Sequence, residues 1–98
     1  EPGTDEFTEV FETAVRMFPD DTIANLNAAN AAMRRGDLTS AKRYLAKADD
    51  SPEAVYARGA LAIRQKDYDS ARRYLNEAKS LGLEQAGITL EQLEKGRR

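Results

Sequence analysis

The side chains that come nearest to a catalytic pattern in this sequence are three close carboxylate groupings, Asp20/Asp21, Asp49/Asp50 and Glu91/Glu94. Paired carboxylates act as acid and base when a cleft buries one of them and raises its pKa. The two aspartate pairs stand where helices are expected to begin or end, and capping accounts for them there. Nothing around the three groupings predicts burial. We therefore predict that they do not form a hydrolytic site.

Histidine and cysteine are both missing from the 98 residues. Their absence removes the commonest general base, the thiolate nucleophile and the usual zinc ligands. Phosphate-binding loops, nucleophile elbows and metal-ligand spacings are missing too. The sequence thus predicts a protein that is not an enzyme and that has no catalytic residue, metal or cofactor.

Charge and hydropathy exclude two further classes of partner. The net charge is −2, with basic and acidic residues mixed along the chain, so no stretch is suited to a nucleic acid backbone. The longest apolar run is far shorter than the roughly 20 residues that cross a bilayer, and we expect no direct membrane insertion. The chain opens Glu-Pro-Gly-Thr without an initiator Met, which predicts a piece of a longer protein.

Composition and helix-boundary signals predict an all-α fold. Alanine is frequent, Val and Ile are few, and no Asn-Gly or Asp-Gly hairpin signal occurs. Polar N-caps are expected at Asp37, Ser51 and Asp67, and glycine is expected to end helices at Gly36 and Gly82. We expect about six helices, at residues 5–18, 22–35, 38–49, 52–65, 68–81 and 84–95.

A repeat of 30 residues organises the middle of the chain. Residues 34–48 match residues 64–78 at eight of fifteen positions, including Asp37/Asp67. In both copies apolar residues recur at three- and four-residue steps, so each helix carries an apolar stripe that one hairpin alone leaves uncovered. Stacking of neighbouring hairpins covers such stripes, which predicts a solenoid.

The second unit has small residues at Gly59, Ala71 and Ala78 and large ones at Tyr68 and Leu75. In this pattern it resembles a tetratricopeptide repeat, which has small and large residues at the same positions. The resemblance implies a single domain, an antiparallel helix-hairpin solenoid with right-handed superhelical stacking. It also implies the parts of that domain: the second helix of a preceding repeat, two repeats and a C-terminal capping helix, at residues 1–21, 22–51, 52–83 and 84–98.

The sequence departs from this family at four positions and in its period. Arg58 stands where the family prefers leucine, Asn25 and Val55 where it prefers tryptophan, and Lys66 where it prefers glycine. The period of 30 residues is shorter than the 34 of the family. These departures bear on the superhelix geometry more than on the fold.

A narrower resemblance concerns residues 11–21, 25–30 and 51–59. The sequence of these segments is similar to the C-terminal segment of larger Bacteroidetes cell-envelope proteins, some of which are described as similar to outer-membrane or fimbrial assembly components. This resemblance implies a module in the periplasm or at the outer membrane, attached to an upstream domain.

Tetratricopeptide repeats bind partners with the concave surface that is lined by the first helix of each pair, and the resemblance implies the same surface here. On that surface we expect the residues that bind a peptide or partner loop to be Asn27, Asn30, Arg34, Tyr56 and Arg64. The alternative is that the asparagines are solvated or bond neighbouring helices, and that the arginines are ordinary charges at helix C-termini. A clamp for a C-terminal carboxylate is not expected, because Leu26 and Tyr56 replace the Lys or Arg of that subtype.

A second candidate surface is an apolar stripe in the first predicted helix, formed by Phe7, Val10, Phe11, Ala14 and Phe18. Residues at this spacing share one helix face, and the face is too apolar to stay uncovered. We expect it to pack on Ile23 and Leu26, on an upstream domain, or on a second copy of the chain.

Other side chains are interpreted structurally. The basic pairs Lys42-Arg43 and Arg72-Arg73 are assigned to a solvated outer face, and Tyr44 and Tyr74 to the inter-helix core. The last helix is expected to turn Ile88, Leu90 and Leu93 inward, with charged residues outside, as a cap of the solenoid.

Two functions remain open at this stage. The first is a protein-interaction module whose partner is a peptide, another protein or an upstream domain of the same chain. The second is a structural spacer that stabilises an upstream envelope domain and has no ligand of its own.

Overall fold

The computed structural model describes residues 13–96, of which residues 13–17 are helical. The helices that follow are α1 (Thr22–Arg35), α2 (Leu38–Lys47), α3 (Pro52–Arg64), α4 (Tyr68–Ser80) and α5 (Glu84–Gly96). No strand occurs in this part of the chain, and the all-α prediction is confirmed. Each of these five helices begins at the predicted residue, whereas α2 ends at Lys47, two residues before the predicted end.

The chain divides into two compact units, Glu1–Asp49 and Asp50–Arg98. In the first unit α1 packs against α2. In the second unit α4 packs against α3 on one side and against α5 on the other. The helix-hairpin architecture is therefore confirmed in each unit, while the right-handed superhelical stacking and the division into repeats stay predictions.

Polar side chains fix where the helices begin. The Asp21 and Ser51 side chains accept hydrogen bonds from backbone N–H groups in the first turns of α1 and α3. Asp37 does the same for the Ser40 N–H at 3.1 Å, and Asp67 for the Ser70 N–H at 3.3 Å. Hydrogen bonds from the side chain and backbone of these serines lower the pKa of each aspartate, since they stabilise its charged form.

The two turns that join the helix pairs have the same backbone form with different residues. Gly36 has φ 81° and Lys66, its counterpart 30 residues later, has φ 64°. In both turns the next residue donates its N–H to a carbonyl one turn back in the helix, Ala32 in the first unit and Ala62 in the second. Lys66 thus adopts the left-handed conformation that glycine adopts without a Cβ clash.

The helices of each pair approach closely because the residues between them are small. In the first unit the buried residues of α1 are mainly alanines, and they share the core with Ala41, Tyr44 and Leu45 of α2. In the second unit a Cβ added to Gly59 would lie 3.1 Å from Cγ and Cδ2 of Leu75. Gly59 is therefore a contact point between α3 and α4, as its place in the repeat predicts.

The last helix packs on the core of the second unit with two of the three residues that were predicted to face inward. Val55, Leu75, Ala78 and Ala86 form a buried cluster. Packed against it are half-buried apolar side chains that include Leu90 and Leu93 of α5. Ile88 is 52% exposed, so its predicted inward orientation is wrong.

None of the helices between residues 13 and 96 combines the length and apolar character that crossing a membrane requires.

Candidate partner-binding surfaces

Helix α1 has one exposed face. Ile23, Asn27, Asn30 and Arg34 are spaced four, three and four residues apart, and all four are exposed. The remaining faces of α1 carry the buried residues Ala24, Asn25, Ala28, Ala29, Ala31, Ala32 and Met33. The three polar residues predicted to bind a partner therefore lie together on the solvent side of α1.

The polar groups on this face are not engaged elsewhere. The side chains of Asn27, Asn30 and Arg34 make no hydrogen bond or ion pair with any other residue of the described range 13–96. The neighbouring Arg35 behaves differently, since its Nη2 lies 3.0 Å from Oδ2 of Asp37. Two amides and one guanidinium are thus available to a ligand along a single row.

The second unit places its two predicted binding residues in different surroundings. Tyr56 is half-buried against the Val55 cluster, and its hydroxyl lies 2.9 Å from the Thr89 hydroxyl of α5. Arg64 is exposed at the end of α3. The structure therefore joins Tyr56 to α5 rather than leaving its hydroxyl open, and its part in binding stays a prediction.

The predicted apolar stripe is only partly within the described residues, because Phe7, Val10 and Phe11 lie outside them. Of the other two members, Ala14 is half-buried and Phe18 is 57% exposed. Ile23, one of the expected contacts of the stripe, is 69% exposed. Phe18 and Ile23 are therefore not buried against each other.

One residue that sequence reasoning passed over as a mere departure from the family is Asn25. It is fully buried, and its Nδ2 donates to the carbonyl oxygens of Pro19 at 2.9 Å and Asp21 at 3.0 Å. Its Oδ1 has no hydrogen-bond partner among the described residues. Its counterpart in the second unit is the apolar Val55. A polar residue at a position that is apolar in the other unit was the signal in the sequence that could have drawn attention to Asn25.

The repeated basic pairs are mostly solvated, as interpreted. The guanidinium groups of Arg43 and Arg73 lie 5.5 Å and 5.9 Å from the ring centroids of Tyr44 and Tyr74. Arg72 departs from the interpretation, because it is half-buried and forms ion pairs with carboxylates of α4 and α5, Asp69 and Glu94. Its Nη1 is buried without a hydrogen-bond partner in the described chain.

The carboxylate groupings lie in water. All members of the pairs 20/21, 49/50 and 91/94 are exposed, so none of them lies in a buried cleft. Within residues 13–96 no three acidic side chains are grouped so that they could hold a metal ion.

The model of a family described as tetratricopeptide repeat matches residues 9–49 and 40–86, which together cover most of the chain. A comparison with curated proteins found no match.

Proposed function

This chain belongs to the tetratricopeptide repeat family, and we propose that it binds an extended peptide or a loop of a partner protein through the exposed face of α1. Repeats of this family are non-catalytic scaffolds that mediate protein–protein interactions. The proposal adds to that general role a surface and its chemistry. The observation that carries it is the exposed, unengaged row of Asn27, Asn30 and Arg34.

The row has the chemistry of a peptide-backbone receptor. An asparagine amide donates and accepts, so it can pair with the N–H and C=O of an extended chain, and arginine can hold a carboxylate through two parallel hydrogen bonds. From Ile23 to Arg34 the face spans roughly 16 Å at 1.5 Å per residue, about the length of five extended residues. We therefore expect a short extended ligand with an acidic residue near Arg34 and an apolar residue near Ile23.

The test begins with selection of binders from a displayed library of random peptides against the 98-residue chain. Selected peptides are then titrated against the variant Asn27→Ala/Asn30→Ala/Arg34→Ala. Lys47→Ala, an exposed change on α2, is the matched control. The proposal requires the selected peptides to be enriched in acidic residues and to lose affinity at least about tenfold for the triple variant only. Equal binding to all three proteins contradicts it.

The structural spacer remains the second candidate function. The observation that favours it is the pair of exposed apolar side chains Met17 and Phe18, a surface that an upstream domain could cover. Attachment to a larger cell-envelope protein is part of this proposal and rests only on the sequence resemblance at residues 11–21, 25–30 and 51–59. If the chain is a spacer without a ligand, the peptide selection should yield no peptide whose binding depends on Asn27, Asn30 and Arg34.

A further inference from the structure

Helix α5 carries an open groove on its exposed side. The groove is a depression of about 580 Å³ beside the C-terminal end of α4, and the exposed Ile88 side chain lies in it. We call this surface the end groove. The residues that line it are Lys79, Gly82, Glu84, Gly87, Ile88 and Glu91.

Three side chains of the end groove form a row on one face of α5. Glu84 stands four residues before Ile88, and Glu91 stands three residues after it. Residues at these spacings are neighbours on the surface of a helix. The end groove thus has an apolar centre with a carboxylate on either side of it along the helix.

The two carboxylates of the row have no partner in the described chain. Neither Glu84 nor Glu91 forms an ion pair or a side-chain hydrogen bond with another residue of the range 13–96. Glu94 differs, because its Oε1 lies 3.8 Å from Nε of Arg72. Lys79 supplies the one cation of the lining, so the net charge of the lining side chains is −1. The end groove is therefore complementary to a partner that brings positive charge to both ends of the row.

Gly87 leaves part of the end groove without a side chain, and packing within the chain does not require this. A Cβ there would lie 3.5 Å from the Cδ and Cε atoms of Lys79, an ordinary contact, unlike the 3.1 Å approach to Leu75 at Gly59. The φ of Gly87 is not positive either. Glycine inside a helix is less favourable than alanine, and its use here lets another surface come close to α5.

The spacing of the row fits a helix better than an extended chain. Glu84 and Glu91 are separated by roughly 10 Å along the axis of α5, at 1.5 Å per residue. In an extended chain this length corresponds to about three residues, and residues three apart point to opposite sides. In a helix, two residues seven apart share one face, with a third residue of that face between them.

We propose that the end groove binds an amphipathic helix of another protein that places an apolar side chain on Ile88 and basic side chains opposite Glu84 and Glu91. A helix that packs along α5 meets the row with residues at the same spacing as the row itself. Arginine can hold each carboxylate through two parallel hydrogen bonds. The groove is small, so the complex is weak and transient. This proposal does not depend on peptide binding at α1.

The test is a selection against the 98-residue chain from a displayed library of alanine-based helical peptides of about 18 residues with one randomised face. We expect selected peptides to carry Arg or Lys seven residues apart with an apolar residue between them. Their affinity for Glu84→Gln/Glu91→Gln should fall at least about tenfold. The matched control, Glu53→Gln/Glu77→Gln, removes two exposed carboxylates of the second unit outside the groove and should bind like the native chain. Equal binding to all three proteins overturns the proposal, as does a selection without such peptides.

Two single changes separate docking in the end groove from a general attraction between opposite charges. Lys79→Gln removes a like charge and keeps most of the alkyl chain, so it should strengthen binding of the basic peptides about twofold or more. Gly87→Ala puts a methyl group into the groove and should weaken binding about threefold or more, although alanine is the better helix former. An affinity that follows net charge and ignores Gly87→Ala would overturn the groove as the site.

Two further outcomes identify a different occupant or a different site. Sedimentation velocity shows whether the 98-residue chain associates with itself. Association that Glu84→Gln/Glu91→Gln weakens would assign the end groove to a second copy and overturn the proposal. Selected helical peptides that lose affinity for Asn27→Ala/Asn30→Ala/Arg34→Ala instead would bind α1 and overturn it as well. Failure of acidic peptides to bind α1 contradicts only the function proposed for that helix.

Discussion

The hydroxyl groups of Tyr56 and Thr89 lie 2.9 Å apart and join α3 to α5 across the core of the second unit. The principal packing of α5 is on α4, and this hydrogen bond ties it to the first helix of the pair as well. Tyr56 also packs on the cluster that contains Val55 and Ala86. The residue thus has a structural role at the position where sequence reasoning assigned it a binding role.

The contribution of this hydrogen bond to the free energy of unfolding can be measured with a double-mutant cycle. Tyr56→Phe and Thr89→Val each remove one hydroxyl and keep the packing, and each should lower the free energy of unfolding by about 0.5–1.5 kcal/mol. The double variant should lose clearly less than the two losses added together, since the same bond is removed twice. Urea unfolding supplies the three values. Fully additive losses would show that the two hydroxyls do not bond to each other.

Lys66→Gly should stabilise the protein. A non-glycine residue in the left-handed conformation is disfavoured by about 1–2 kcal/mol, and glycine removes this strain. The greater freedom of glycine in the unfolded chain opposes folding by up to about 1 kcal/mol and so offsets part of the gain. We expect a net gain of about 0.5–1 kcal/mol in the free energy of unfolding.

Two matched variants show whether the backbone causes that gain. Lys66→Ala removes the charge and keeps the positive φ, so it should leave stability nearly unchanged. Gly36→Ala imposes the strained conformation on the first turn, where a Cβ meets no atom within 4 Å, so any loss reports backbone strain alone. A gain for Lys66→Ala equal to that for Lys66→Gly would assign the effect to charge instead.

Alanine at Gly59 and at Gly87 should act in opposite directions. At Gly59 the new methyl group would press on the fully buried Leu75, and overpacking of about 1–3 kcal/mol exceeds the roughly 1 kcal/mol that alanine gains in helix propensity. At Gly87 the methyl meets only the flexible Lys79 chain, so the propensity gain remains and stability should rise by about 0.5–1 kcal/mol. Thermal and urea unfolding of both variants provide the comparison. Stabilisation by both changes would mean that Leu75 moves aside easily.

The helix starts were predictable because their causes are local. Asp37, Ser51 and Asp67 cap the helices that begin one residue later, and a cap acts within a single turn. The turn at Gly36 was predictable for the same reason. The left-handed backbone at Lys66 was not predicted, because lysine does not indicate one and the residue was noted only as a departure from the glycine of the family.

Other features depend on neighbours that the sequence does not reveal. Ile88 is the exception, because its position alone places it about 200° around the helix from Leu90, so helical spacing already showed that the two could not both face the core. The burial of Asn25 depends on two backbone carbonyls that only the folded turn brings to it. Of the predicted binding residues, those on α1 could be grouped by helical spacing, whereas the attachment of Tyr56 to α5 required the tertiary structure.

Stability should fall on acidification partly through the two repeated caps. Hydrogen bonds from Ser40 and Ser70 lower the pKa of Asp37 and Asp67 below the usual 3.8, so the folded state favours their charged forms. Their contribution is fully present above the pKa of the unfolded chain and is lost as the pH falls toward the lower folded value. The variant Asp37→Asn/Asp67→Asn keeps a good N-cap residue at each site but cannot titrate. Thermal unfolding from pH 7 to pH 2 should therefore show a smaller loss of stability below about pH 4 for this variant than for the native chain. Parallel curves for the two proteins would show that neither cap contributes to the acid response.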